Sequence, residues 1–109
     1  HYAGEFPLWL APTQVAIVPI SQNYIEYAYA VAKELRKAGI RYEVDERNEK
    51  IGYKIRDWEM QKVSYMLIVG EKEQEANAVS VRKHKEGDQG SLALSVFIDK
   101  IVSEIRNKV

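Results

Sequence analysis

Residues 65–70 read YMLIVG, and this stretch decides the fold. Tyr65 to Val69 form an unbroken apolar run that stops at Gly70. A strand with one wet face alternates apolar and polar residues, whereas a strand covered on both faces does not. The run therefore predicts an inner strand of a sheet with helices on both sides. Residues 15–20, VAIVPI, form a second short apolar run rich in branched residues, and Pro19 marks where its ladder should end. Ser21 to Asn23 can cap a helix. From Tyr24 to Ala38, the residues Ile25, Ala28, Val31, Ala32 and Leu35 recur at helical spacing, and Gly39 supplies the stop. Ile40, Tyr42 and Val44 then alternate with Arg41, Glu43 and Asp45, as in a half-buried strand. Ile51, Ile55 and Trp58 predict a second helix over about residues 50–62, with a narrow buried stripe that leaves Lys54, Arg56, Glu59 and Lys62 pointing elsewhere.

Downstream of the inner strand, Glu71 to Asn77 read as a charged turn. Val79 and Val81 alternate with Ser80 and Arg82 in a fourth strand, Lys83 to Gly90 read as a hairpin connection, and a short strand follows around Ser91 to Ala93. Ser95 can cap a last helix whose apolar face is Phe97, Ile98, Ile101, Val102 and Ile105, with Lys108 at its C-terminal end. The order β-α-β-α-β-β-(β)-α is an α/β arrangement: parallel strands first, an antiparallel hairpin later, and helices on the faces of a mixed sheet. Residues 1–12, HYAGEFPLWLAP, are broken by Gly4, Pro7 and Pro12 yet too apolar for a free linker. They are either an arm packed on this domain or a junction packed on an upstream one.

The 109 residues suit one domain, with 46% hydrophobic and 29% charged residues as in ordinary globular chains. Sixteen basic and sixteen acidic residues cancel, which argues against non-specific coating of a long duplex and for local contacts to a small target. No cysteine is present, which removes disulfides, thiolate metal sites and a cysteine nucleophile, and fits a reducing, cytoplasmic setting. No apolar run nears the ~20 residues of a membrane span. The chain begins at His1 rather than Met, so a fragment or processed chain is expected. Neither phosphate-cradling glycine motif occurs, which counts against a small flavodoxin-like enzyme. The serines lack a nucleophile-elbow setting, His1 and His84 have no ligand at metal spacing, and His84 reads as a solvated residue on the hairpin connection. Glu59, three residues from Arg56 and from Lys62, reads as helix-surface pairing. A binding module is favoured over an enzyme.

The densest polar stretch is residues 45–56, DERNEKIGYKIR, where all but Ile51 and Ile55 are polar, charged or glycine. Read alone, Asn48 can be the cap of the second helix, Arg56 and Glu73 surface charges, and Arg82 a solvent-facing strand residue. Tyr53 reads as a packed aromatic. Read with HYAGEFPLWLAPTQV at the start, AGIRYEVDERNEKIGYKIRDWEMQKVSYMLIVGEKE in the middle and AVSVRKH followed by a later GS, the chain resembles the C-terminal anticodon-binding domain of threonyl-tRNA synthetase, from Tyr2 to the last helix. The most specific parts are the R-N-E-K-I-G-[YF]-K-I-R and F-P-x-W-L-A-P runs.

The resemblance implies a five-stranded mixed sheet flanked by three helices, in agreement with the reading above. It makes residues 1–12 a junction from an upstream catalytic domain and residues 13–109 the anticodon-binding domain. It implies a module that reads the second and third anticodon bases, G and U, of threonine tRNA, with no aminoacylation by this chain alone. ATP, magnesium and zinc would belong to the catalytic domain of a threonine–tRNA ligase, whose full-length form is a homodimer; this fragment can be a monomer. The anticodon-binding residues it implies are Asn48, Arg56, Lys62, Glu73 and Arg82, with lysine at 62 where arginine is expected. The alternative is a protein-interaction or accessory domain of the same fold that reads no base.

Overall fold

The computed structural model describes residues 6–108. His1 and Gly4 of the opening motif lie outside them. The elements are β1 (Val15–Pro19), α1 (Ile25–Lys37), β2 (Tyr42–Val44), α2 (Ile51–Met60), β3 (Tyr65–Val69), α3 (Glu71–Ala76), β4 (Ala78–Lys83), β5 (Gly87–Ala93) and α4 (Leu94–Asn107), with short 3-10 turns at Leu8–Leu10 and Gln22–Tyr24. One sheet holds all five strands in the order β2-β1-β3-β4-β5. β1 runs parallel to β2 and β3, whereas β4 is antiparallel to both β3 and β5. This is the mixed sheet that the order of elements predicts.

The run YMLIV serves two cores. Tyr65, Leu67 and Val69 point to one face, where they pack with Val15, Ile17, Val79 and Val81 under α1 and α4. Met66 and Ile68 point to the other face, where Ala16 and Val18 meet Trp58, Ile51 and Ile55 of α2. The period-two alternation of a strand therefore feeds both layers from one continuous apolar segment. α1 and α4 share one layer and α2 has the other to itself.

Several boundaries differ from the sequence reading for local reasons. The first helix starts as a 3-10 turn, with the Ser21 hydroxyl accepting from the Asn23 N–H at 3.3 Å, and becomes α-helical only at Ile25. α2 ends at Met60 rather than at Lys62. Lys62 takes a left-handed backbone (φ 63°), its N–H reaching the Glu59 carbonyl while the Val63 N–H reaches that of Trp58. This pair of bonds closes a helix end, with Val63 packed against Trp58. Residues 71–77 are not a plain turn, because Glu71–Ala76 form α3. β5 reaches back to Gly87, since pairing with β4 imposes strand geometry on residues that carry no apolar pattern. α4 begins at Leu94, and its cap position is Ala93, not Ser95.

The arm at residues 6–12 packs on its own domain. Leu8 is buried in the core, the buried Gln14 amide donates to the Leu8 carbonyl at 3.1 Å, and Arg41 holds the Ala11 and Trp9 carbonyls at 2.9 and 3.0 Å. Beside the arm, in a crevice also lined by Phe6 and Leu8, the buried Tyr65 hydroxyl donates to Glu104 at 2.9 Å. Burial first, and then the Glu104 carboxylate, push the Tyr65 phenol well above the usual tyrosine range. The neutral phenol is thus favoured in the folded state. Its contribution is fully present below about pH 10 and is lost as pH rises beyond that. Tyr65→Phe is expected to lower stability by about 1 kcal/mol at neutral pH and to remove part of the alkaline loss, as urea melts at pH 8 and pH 11 would show.

Candidate nucleic-acid interface

Part of the polar density in residues 45–56 is directed inward, through Asp45, Arg47 and Lys54. Just beyond β2, the Asp45 N–H still donates to the Ile17 carbonyl at 2.9 Å, and its side chain turns into the molecule, 3% exposed. Its carboxylate accepts from Trp58 Nε1 at 2.8 Å, from Arg47 Nη2 and Nε at 2.8 and 3.0 Å, and from the Arg47 backbone N–H at 3.1 Å. Arg47 Nη1 continues to Asp57 at 2.8 Å, and the guanidinium lies 5.5 Å from the Tyr53 ring centre. Burial works to raise the Asp45 carboxyl, but the Arg47 and Trp58 hydrogen bonds outweigh it and hold it below the ordinary carboxylate value. The result is a clasp that locks the β2–α2 loop to the side of α2.

With Asp45 and Arg47 drawn in, Glu46, Asn48, Glu49 and Lys50 are left exposed. Asn48 does not cap α2. The cap position is Lys50, without a side-chain bond, and the Asn48 amide faces outward with no hydrogen bond among the described residues. Tyr53 is not packed away either, being 46% exposed above Arg47.

Lys54 overturns the expectation of an outward lysine. It is fully buried, and its Nζ donates to the Pro19 carbonyl at 3.0 Å. The reason is its place in the helix. Lys54 lies three residues after Ile51 and four before Trp58, on the buried stripe itself. Burial pulls its ammonium below the usual lysine value. The bond pins α2 to the C-terminal end of β1.

The outer face of α2 and the β4–β5 hairpin enclose a cleft of about 490 Å³, lined by Gly52, Ile55, Arg56, Glu59, Met60, Arg82, Lys85 and Gly87. Arg82 pairs with Met66 across the β3–β4 ladder and so lies on the α2 face of the sheet. A register shift between Val81 and Arg82, with Gly90 opposite Val81 and Asp88 opposite Arg82, leaves Gln89 of β5 as the extra residue of a bulge across from Arg82. Bulges re-aim side chains and recur beside functional sites. Arg82 Nε is buried without a hydrogen-bond partner. A buried guanidinium donor left unpaired is unfavourable unless something else completes it.

Glu59 closes one side of the cleft. Its Oε2 accepts from the Lys85 N–H at 2.9 Å and lies 2.8 Å from Nδ1 of His84, so it ties the hairpin turn to α2. His84 is correspondingly a half-buried residue held against Glu59 of α2, not a solvated one. Glu73 is held at the start of α3, outside the cleft lining. Its Oε1 accepts from the Gly70 N–H and its Oε2 from the Ser80 hydroxyl, each at 2.8 Å, and Ser80 shares a strand face with Arg82.

Of the five residues expected to bind, Arg56 and Arg82 thus meet in one cleft, and Glu73, outside its lining, is tied to β4 through Ser80 two residues before Arg82. Asn48 and Lys62 flank the two ends of α2, on the order of 15 Å apart along ten helical residues. Lys62 lines smaller crevices with Phe6, Lys83 and His84 instead. Gly52, Met60 and Lys85 were not singled out by sequence. A larger cleft of about 580 Å³ between α1 and α4 holds none of the five, and its charges, Glu34, Lys37 and Asp99, are of mixed sign. Among the described residues no three histidines or carboxylates gather as a metal site.

Residues 14–104 match the family model described as "Anticodon binding domain". The chain is 54% identical over 108 residues to the threonine–tRNA ligase of Caldanaerobacter subterraneus subsp. tengcongensis, covering 99% of this chain and 17% of that protein. It is 56% identical over 108 residues to the threonine–tRNA ligase of Clostridioides difficile, with the same coverage of 99% and 17%. It therefore spans 17% of the length of these curated relatives. Among solved structures, the RNA binding domain of threonyl-tRNA synthetase from Cryptosporidium parvum Iowa II superposes with a TM-score of 0.89 at 32% identity, over 94% of this chain and 26% of that one. Prolyl-tRNA synthetase from Cryptosporidium parvum, complexed with halofuginone and AMPPNP, superposes with a TM-score of 0.79 at 30% identity, over 94% of this chain and 23% of that one.

Proposed function

This chain belongs to the anticodon binding domain family, and from that premise we propose that it reads the second and third anticodon bases, G and U, of threonine tRNA on behalf of a threonine–tRNA ligase. The observation that carries this reading is the meeting of Arg56 and the unpartnered Nε of Arg82 in one open cleft. Anticodon bases are single-stranded, so their Watson–Crick edges can be splayed onto a protein surface. The O6 and N7 of guanine suit an arginine fork, and a carboxylate such as Glu73 can accept from its N1–H and N2–H. Uracil offers two carbonyls and one N–H, a set that the outward amide of Asn48 matches. Lys62, which lacks the fork of arginine, serves as a point charge toward phosphate or a single carbonyl.

In this reading residues 1–12 lead from a catalytic domain, which would hold the ATP, magnesium and zinc, and a homodimer would form through that domain. No helix among the described residues is long and apolar enough to cross a membrane. We assign the tRNA-reading role to the cytoplasm.

The test is a titration of the folded chain against threonine anticodon stem-loops at fixed, modest salt. A wrong base at the second or third position is expected to cost about 1–3 kcal/mol. Lys62→Ala should weaken all loops alike and reduce the salt slope by roughly one. Glu73→Gln, which can still accept from Gly70, should relax discrimination at one base while α3 stays formed. Equal affinity for every loop would refute base reading. No binding to any loop would favour an accessory, protein-binding role.

A further inference from the structure

Gly52 has no structural reason to be glycine. Among the described glycines, Gly39, Gly87 and Gly90 have positive φ, and a Cβ on Gly70 would stand 2.7 Å from Cδ1 of Ile20. Gly52 shows neither feature: its φ is not positive, and a Cβ there would meet no heavy atom within 4 Å. It lies in the first turn of α2, where glycine is a poorer helix former than almost any other residue. The fold would therefore gain from alanine at this position. Its location is informative, because it lines the same cleft as Arg56, one turn further along the helix, and the buried, unpartnered Nε of Arg82.

We propose that Gly52 is a specificity-determining residue, whose bare backbone lets an unstacked nucleobase lie flat on the first turn of α2 while Arg56 and Arg82 reach its edge. This inference rests on the anticodon reading and adds to it the surface against which a base is held. A planar ring gains most from a flat wall, and a methyl group on that wall would lift the ring away from both guanidinium groups. Hydrogen bonds to a base edge weaken steeply when donor and acceptor move off their preferred geometry. A phosphate group, being tetrahedral and held mainly by charge, would feel the added methyl group far less.

The experiment compares Gly52→Ala with the unsubstituted chain in thermal melts and in titrations against threonine anticodon stem-loops, native and base-substituted. The expected result has opposite signs. The melting temperature rises, while affinity for the native loop falls about tenfold or more and discrimination at one anticodon base shrinks. A loss of binding accompanied by a higher melting temperature cannot come from unfolding. If Gly52→Ala binds and discriminates as the unsubstituted chain does, the role of Gly52 is refuted and the anticodon reading stands. If it loses affinity equally for all loops, the bare backbone accommodates the RNA strand in general and contacts no particular base, which also overturns the proposal. If the folded, unsubstituted chain binds no loop, the anticodon reading and the role of Gly52 fall together.

Discussion

Asp45→Ala is expected to lower the unfolding free energy by about 2–4 kcal/mol in urea melts at pH 7. The largest part is the indole of Trp58, whose Nε1–H would be left in the core without its 2.8 Å acceptor. Arg47 contributes less than a fully buried partner would, since its side chain is 38% exposed and its charge can return to water. Asp45→Asn keeps an acceptor for Trp58 and should cost about half as much. The pH dependence has a definite sign. The folded-state pKa of Asp45 is depressed, so its contribution is complete above about pH 4 and is lost as pH falls through the lower folded value. Asp45→Asn should therefore flatten the acid limb of the stability curve. Equal acid limbs for the two proteins would show that Asp45 is not held ionised by the clasp. Because the clasp fixes the loop that carries Asn48, Asp45→Asn should also weaken the contact assigned to that residue.

Most of the fold was legible because its signals are local. The run YMLIV announces a strand covered on both faces, and Gly39 ends α1 with the left-handed backbone expected of it. What was not legible depends on partners distant in sequence. A lysine on a helix reads as solvated, whereas the buried Lys54 finds its acceptor in the Pro19 carbonyl, thirty-five residues away, with the Asp45 carboxylate also favouring its charge. Asp45 and Arg47 looked like part of an outward polar array because their partners, Trp58 and Asp57, come from the next helix. α3 has no apolar period to reveal it. Its one signal was Glu73 three residues after Gly70, the spacing at which a carboxylate reaches back to the N–H at a helix start. The five residues expected to bind came from the family resemblance. Their types and spacing alone left each one open to an ordinary surface role. The structure adds what neither source held: an open cleft with an unsatisfied guanidinium nitrogen and a glycine that the fold does not require.

Arg82→Ala is expected to weaken binding of the native threonine anticodon stem-loop by about 1–3 kcal/mol, roughly 5- to 150-fold, and to relax discrimination at a single base. Little loss of stability should accompany it. Arg82 Nε has no protein partner to leave behind, so truncation removes an unsatisfied donor without creating a new one. Arg82→Lys separates charge from geometry. Lysine restores a cation on the same strand face but cannot present two parallel donors. It should recover part of the affinity, keep the salt dependence of the unsubstituted chain and still fail to discriminate. A cycle with Arg56→Ala then tests whether the cleft acts as one site. Two arginines on the same base should show non-additive losses, whereas contacts to separate nucleotides should add. If Arg82→Lys discriminates as well as arginine does, the fork is not the reader, and the specificity must come from the groups flanking it, Glu73 first among them.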